Sequence, residues 1–222
     1  MRQHLPGASR EAGLSTPRAA GFAGVAFAVL LGAAIVLVRT ALPSGAGGDE
    51  ITVDEGTRSA VSAAVHMVPF AGIAFLWFMG ALREHTGEAE DRFLATVFLG
   101  SGLVFVAALF GATAAAGTVL AADQPEAFGR HFAYTLLTTY AMRMAAVFAF
   151  ATSAIGRRLG VLPRPLSAFG FLVGLVLLVV GASVPWSEMV FPVWALVLSL
   201  YVLRVARRGP QPQPPRHSNG LV

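Results

Sequence analysis

The sequence contains no cysteine and no lysine, and charged residues of any kind are scarce. All 16 basic residues are arginine, and 13% of the residues are charged whereas 55% are hydrophobic. Without cysteine the chain cannot form disulfides, thiolate nucleophiles or cysteine-ligated metal sites. Without lysine it cannot form a Schiff base or complete a P-loop. A chain this apolar is predicted to be an integral membrane protein, and no catalytic motif is recognisable in it.

Apolar runs long enough to cross a bilayer recur along the chain. The hydrocarbon core needs about 20 helical residues per crossing. The runs are 19–42, 59–82, 93–122, 132–156, 166–184 and 188–205. Their connections are short, so consecutive helices should be antiparallel neighbours. The sequence therefore predicts an all-α fold, a bundle of six transmembrane helices over 19–206.

The two ends of the chain differ from this membrane domain. Segments 1–18 and 207–222 are polar, and the second is rich in proline. Such compositions cannot bury enough apolar surface to order the chain. Both segments are predicted to be disordered and solvated.

Arginines are distributed unevenly between the two ends of the predicted helices. Twelve of the 16 lie at one end, while the other end has Arg39, Arg58 and Arg130 together with most of the acidic residues. Short loops rich in arginine stay in the cytoplasm, which predicts cytoplasmic termini and a cell (cytoplasmic) membrane location. The net charge of +4 comes from arginines that meet lipid headgroups at the span ends. It therefore does not indicate nucleic-acid binding.

Arg143 lies in the middle of the predicted fourth span, among apolar and uncharged neighbours. A cation at the bilayer centre costs about 3 kcal/mol on translocon scales and above about 10 in simulations, so it usually faces protein or a water-filled cavity. Thr139, Tyr140 and Arg143 share one broad face of this helix. The nearest acids, Glu55 and Glu188, lie at the outer boundary. Arg143 is therefore the first candidate for a functional site.

His66 is the second ionisable residue inside a predicted span. It follows Ser62 by four residues and precedes Pro69 by three. Pro69 lacks an N–H, which leaves the carbonyl of Val65 without its helical donor. Helical side chains lean toward the helix N-terminus, which brings the Arg143 guanidinium near the depth of His66. The pattern predicts an outward-facing polar pocket between the second and fourth helices. Its candidate ligand-binding residues are Ser62, His66, Pro69, Thr139, Tyr140 and Arg143.

Three classes of function are compatible with such a pocket. The first is a small transporter or ligand-binding protein for an anionic or polar-headed compound, lipids included. The second is a non-catalytic structural or accessory subunit in which Arg143 only fastens the bundle. An intramembrane enzyme or haem protein comes third, because no complete catalytic set appears. As candidate haem ligands, His66 and His131 lie at different depths. No metal and no cofactor are predicted.

Small residues recur at four-residue spacing in several spans, where they let helix backbones approach closely. The clearest sets are Gly24, Ala28 and Gly32 in the first span and Ala141, Ala145 and Ala149 in the fourth. We expect these ladders to pack within the bundle. They also suit an interface between copies of the chain.

One stretch has a family resemblance. Residues 68–117, VPFAGIAFLWFMGALREHTGEAEDRFLATVFLGSGLVFVAALFGATAAAG, resemble small, uncharacterised multi-pass membrane proteins of actinobacteria. The resemblance implies a location in a bacterial cytoplasmic membrane. It implies no activity.

The predicted orientation can be tested because the chain has no cysteine of its own. Single cysteines at Gly47 and Gln124 should react with an impermeant maleimide in intact cells, since both positions lie in predicted outer loops. A cysteine in the 207–222 tail should react only after permeabilisation. Labelling of the tail but not of position 47 in intact cells would reverse the orientation.

Overall fold

The structure, a computed structural model, describes residues 16–41, 55–86, 92–121, 127–180, 184 and 186–207. These residues are almost entirely helical, and no strand occurs among them. The prediction of an all-α fold is confirmed. The predicted disordered ends lie almost wholly outside the described residues.

Seven α-helices follow one another in the described part of the chain. They are α1 (Thr16–Ala41), α2 (Glu55–Thr86), α3 (Arg92–Ala121), α4 (Ala127–Thr135), α5 (Met142–Arg158), α6 (Arg164–Val179) and α7 (Val190–Arg207). A π-helical turn, Leu136–Ala141, joins α4 to α5, and a 3-10 turn, Ser187–Met189, precedes α7. The two helices α4 and α5 thus form one continuous span, the predicted fourth.

Five helical stretches are long and apolar enough to cross a membrane. They are Ala19–Thr40, Glu55–Arg83, Arg92–Leu120, Phe128–Arg158 and Ser187–Arg207. The remaining predicted span is α6, which has 16 residues. That is about 24 Å at 1.5 Å per residue, short of a hydrocarbon core of about 30 Å. The protein is therefore a multi-pass membrane protein, with five spans of full length and α6 as a shorter apolar helix.

The helices form a closed ring in chain order. α1 packs against α2 and α7, α3 packs between α2 and α5, and α6 packs against α5 and α7. At one end of the first and last helices, Gly21 contacts Leu203. At the other end Arg39 and Glu188 form a salt bridge. We call this second end the outer end, after the orientation predicted from the arginines.

Aromatic rings fill the centre of this ring of helices. The Phe75 ring of α2 has its centroid 4.8 Å from that of Phe27, 5.0 Å from Phe105, 4.9 Å from Phe148 and 6.1 Å from Phe191. These four partners come from α1, α3, α5 and α7, and all five rings are fully buried. Tilted and edge-to-face pairs contribute about 0.5–1.5 kcal/mol each beyond area burial. Phe75 is thus the point at which five helices are packed together.

Small residues occupy the closest helix contacts, as their spacing predicts. A side chain at Gly24 of α1 would overlap the hydroxyl of Ser199 on α7. Ala141, Ala145 and Ala149 are fully buried. The prediction that these ladders pack within the bundle is confirmed for these positions.

The aromatic centre makes a sharp prediction for two phenylalanines on one helix. Phe75→Ala should cost about 3–5 kcal/mol of unfolding free energy, because it empties a fully packed site. Phe70 is 64% exposed, so Phe70→Ala should change that free energy by about 0.5 kcal/mol or less. Unfolding in mixed micelles of increasing denaturing detergent measures both. Equal losses for the two variants would contradict a core centred on Phe75.

Candidate functional site

A π-helical turn interrupts the fourth span just before Arg143. The N–H of Met142 donates to the carbonyls of Leu137 and Thr139, whereas a regular α-helix would direct it to Thr138. The Thr138 hydroxyl in turn donates to the carbonyl of Tyr134 at 2.8 Å, and such back-bonding competes with the backbone and bends helices. π-helical turns are rare inserts that recur at functional sites. The turn therefore singles out this part of the span.

Arg143 lies at the surface of the described bundle, not inside it. It is the middle residue of the 31-residue stretch Phe128–Arg158, about 22 Å from either end at 1.5 Å per residue. Its Nη1 donates to the carbonyl of Thr139 at 3.4 Å, longer than the usual range of about 2.7–3.2 Å. Among the described residues, no carboxylate forms an ion pair with it. The guanidinium, with five N–H groups, keeps most of its donor capacity for another partner.

The end of α6 lies near the depth of Arg143. Gly170 of α6 packs against Ser153 of α5, and Gly174 packs against Ala146 and Phe150. Because α5 and α6 are antiparallel, the last residue of α6, Val179, comes about level with Arg143. α6 thus covers the fourth span only from its inner end up to Arg143.

Side chains on the outer half of the fourth span are correspondingly exposed. Phe128 is 76% exposed, Phe132 50% and Tyr140 58%. Thr139 is half-buried, and its carbonyl is the acceptor for Arg143. The structure therefore brings Thr139, Tyr140 and Arg143 together, on a face where Tyr140 and Arg143 are exposed in the described part of the chain.

His66 occupies a similar exposed position on α2. Its Nδ1 lies 2.7 Å from the carbonyl oxygen of Ser62, so this nitrogen carries the proton and donates. Pro69 is exposed, and α2 continues through it to Thr86. His66 is thus hydrogen-bonded within its own helix.

The two halves of the predicted pocket lie on helices that flank α3. Val65 of α2 lies next to Gly117 of α3, while Leu136 of the π-helical turn packs on Gly111 of the same helix. α3 separates these contacts, and the hydrogen bonds described for His66 and Arg143 stay within their own helices. A single pocket that joins them stays a prediction.

Glu188, one of the acids nearest to Arg143 in the sequence analysis, has a different partner. It is bonded to Arg39 of α1. Both residues lie at the outer end, where their sequence positions had placed them. The sequence does not predict this pairing, because Arg39 is recognisable there only as a charge at the boundary of a span.

Comparisons of this chain with protein-family models, with characterised proteins and with solved structures find no match. Function therefore has to be inferred from the chemistry of the chain itself. The strongest chemical feature is the exposed guanidinium at mid-span.

The π-helical turn predicts an uncommon tolerance to deletion. A π-helical turn holds one extra residue, so deleting Thr139 should restore a continuous α-helix and leave both flanks in register. Deleting Ala149, which is fully buried in regular α5, should rotate all later residues by about 100° and disrupt packing. Size-exclusion profiles and thermal melts in detergent compare the two. If both deletions are equally damaging, the turn does not contain an inserted residue.

Proposed function

We propose that this protein binds an anionic or polar-headed compound within the membrane, and that Arg143 holds it. The observation that carries the proposal is the exposure of Arg143 at the middle of a 31-residue apolar stretch with one long hydrogen bond. A cation in hydrocarbon needs compensation from charge or from several acceptors. A bound head group supplies this compensation, which the described side chains do not provide.

The depth of Arg143 restricts the chemistry of the ligand. Phosphate groups of ordinary lipids stay at the edge of the hydrocarbon, about 15 Å from its centre, and an arginine side chain shortens that distance by about 6 Å at most. A membrane-dissolved amphiphile with a carboxylate or a polarised carbonyl reaches deeper. A carboxylate also matches the guanidinium fork with two parallel hydrogen bonds. The exposed Tyr140 hydroxyl offers a further donor to the same group.

Access from the lipid side fits this structure better than passage through the bundle. The centre of the ring is occupied by Phe75 and its four aromatic neighbours, all fully buried. Arg143 and Tyr140 are instead exposed. These positions favour a binding protein over a transporter with a central pathway.

A second candidate function is an accessory subunit of a membrane complex. The specific observation is the aromatic surface at the outer end of the same span, where Phe128 and Phe132 stack with centroids 6.0 Å apart and both rings are at least half exposed. Aromatic residues and arginine are enriched at protein interfaces. A partner helix with a carboxylate, including one from a second copy of the chain, would compensate Arg143 in the same way as a ligand.

Substitution of Arg143 separates these functions. Arg143→Met should leave the bundle folded and weaken retention of the bound compound by about 10-fold to 100-fold, the value of one charged hydrogen bond. Arg143→Lys should fall between, since lysine keeps the charge but loses the planar fork. Native mass spectrometry of protein purified in mild detergent detects the retained species. Arg204→Met, at an exposed position near the inner end of α7, is the matched control.

The nature of the retained species decides between the two candidates. A small molecule that disappears in Arg143→Met but not in Arg204→Met supports the ligand function. A polypeptide with that behaviour supports the accessory subunit. Unchanged retention by the methionine variant would eliminate Arg143 as a binding site.

A further inference from the structure

A buried ion pair lies away from Arg143, where the end of α1 meets the 3-10 turn before α7. Nη2 of Arg39 donates to Oε1 of Glu188, and the two residues are 149 positions apart in the chain. The Arg39 side chain is 12% exposed and that of Glu188 4%. The pair therefore sits inside the protein at the outer end of the ring.

The second carboxylate oxygen of Glu188 is not part of this bond to Arg39. Oε2 is buried and has no hydrogen-bond partner among the described residues. Leaving a buried acceptor unpaired costs about 1–3 kcal/mol, and more when it carries charge. Native proteins pair almost all such atoms with protein or with a bound molecule. Oε2 of Glu188 thus indicates a missing donor.

The turn around Glu188 is held in an uncommon conformation. Trp186 has φ 70°, the one positive φ of a non-glycine residue in the described part of the chain. Ser187 donates its N–H to the carbonyl of Val184, and Met189 donates to that of Trp186. The result is that Trp186 is 45% exposed while Glu188 is 3% exposed. A left-handed residue costs about 1–2 kcal/mol, so this inward placement of the carboxylate is maintained against strain.

The chemistry of the pair restricts what can donate to Oε2. A proton on Oε2 would be a buried donor that itself lacks an acceptor, and it would leave the Arg39 charge uncompensated. A metal ion needs several ligands, and no group of three His, Asp or Glu side chains comes together among the described residues. An ammonium group would be repelled by Arg39, because Glu188 already balances one positive charge. A neutral O–H group avoids the objections to a proton, a metal ion and an ammonium group.

We propose that Oε2 of Glu188 binds a hydroxyl group, between α1 and the turn before α7. The donor is either an ordered water or the hydroxyl of a glycerol-type lipid headgroup, since the predicted boundary of the bilayer lies at this level. Remaining N–H groups of Arg39 could donate to the same hydroxyl oxygen, so one O–H group bridges both side chains. This site shares no residue with the one at Arg143 and does not depend on the proposed function.

The test removes both charges together. Arg39→Leu/Glu188→Leu should fold, because replacing a buried ion pair by apolar side chains is often neutral, whereas a single substitution leaves an uncompensated charge. Glu55 at the start of α2 and Arg204 near the end of α7 are both exposed, so Glu55→Leu/Arg204→Leu removes the same charges elsewhere as the matched control.

Two probes distinguish the sources of the hydroxyl. Phosphatidylglycerol is added to delipidated protein and compared with phosphatidylmethanol, which has the same charge and no headgroup hydroxyl. If a headgroup donates, phosphatidylglycerol alone raises the melting temperature of the wild type and the control by several degrees, and it leaves the 39/188 variant unchanged.

Radiolytic footprinting after mixing with oxygen-18 water tests whether an ordered water is the donor. If water donates, oxygen-18 is incorporated into oxidised Met189 slowly in the wild type and the control. The amount incorporated is several-fold lower in the 39/188 variant.

Absence of both effects would overturn the proposal. In that case the three proteins would respond alike to the two lipids and show the same labelling of Met189. Arg39 and Glu188 would then form a dry salt bridge without a ligand.

Discussion

Hydrocarbon provides no hydrogen-bond partners, and this constraint determines where the polar groups of the chain can lie. Ser101, Thr152 and Ser199 are buried, and each hydroxyl donates to the carbonyl four residues before it. Such hydroxyls are tolerated in a membrane helix because a carbonyl of the same helix accepts their hydrogen bond. Arg143 and Glu188 differ, since neither is fully satisfied among the described residues. The hydroxyls of Ser153 and Ser167 and Nε of Arg130 are also buried without a partner among these residues, so unmet polar groups occur at several points of the bundle.

Packing replaces the hydrophobic effect as the force between these helices, because lipid tails are as apolar as the side chains. Association therefore depends on close fit. The Phe75 cluster gives this fit in the centre, and contacts such as Gly24 with Ser199 give it between neighbouring backbones. The ion pair of Arg39 and Glu188 adds a directional link between the first and last helices. A closed ring leaves only its outer surface free for recognition, which is where Arg143 lies.

The sequence predicts the spans well because uncharged length is a property of single segments. It overestimates α6, whose apolar pattern runs to position 184 although the helix ends at Val179. Gly181 and Pro185 in the sequence explain the difference, since glycine and the residue before a proline both disfavour the α-helix. The aromatic centre could not be predicted, because its rings come from five helices and share no local spacing. The π-helical turn has only the pair Thr138–Thr139 as a local signal.

The candidate site also has features that the sequence predicts and features that only the fold reveals. Arg143 could be found from sequence because a charge inside an apolar run is visible without a fold. Its exposure could not, since the face that a helix presents to its neighbours depends on how the ring closes. Arg39 and Glu188 were both placed at the outer end by topology alone. Their contact required knowing that α1 and α7 are neighbours, a relation between segments 149 residues apart.

The exposure of Arg143 also has an energetic consequence for binding. An empty site at mid-span carries the cost of a guanidinium in hydrocarbon, about 3 kcal/mol on the lowest scale. A head group that removes this cost gains about a hundredfold in affinity from it, since each 1.4 kcal/mol corresponds to a factor of ten. An apolar molecule of the same size gains nothing from it. The site therefore discriminates by charge and acceptor chemistry and needs no deep cavity, which suits an arginine on the outer surface of a ring whose centre is already filled.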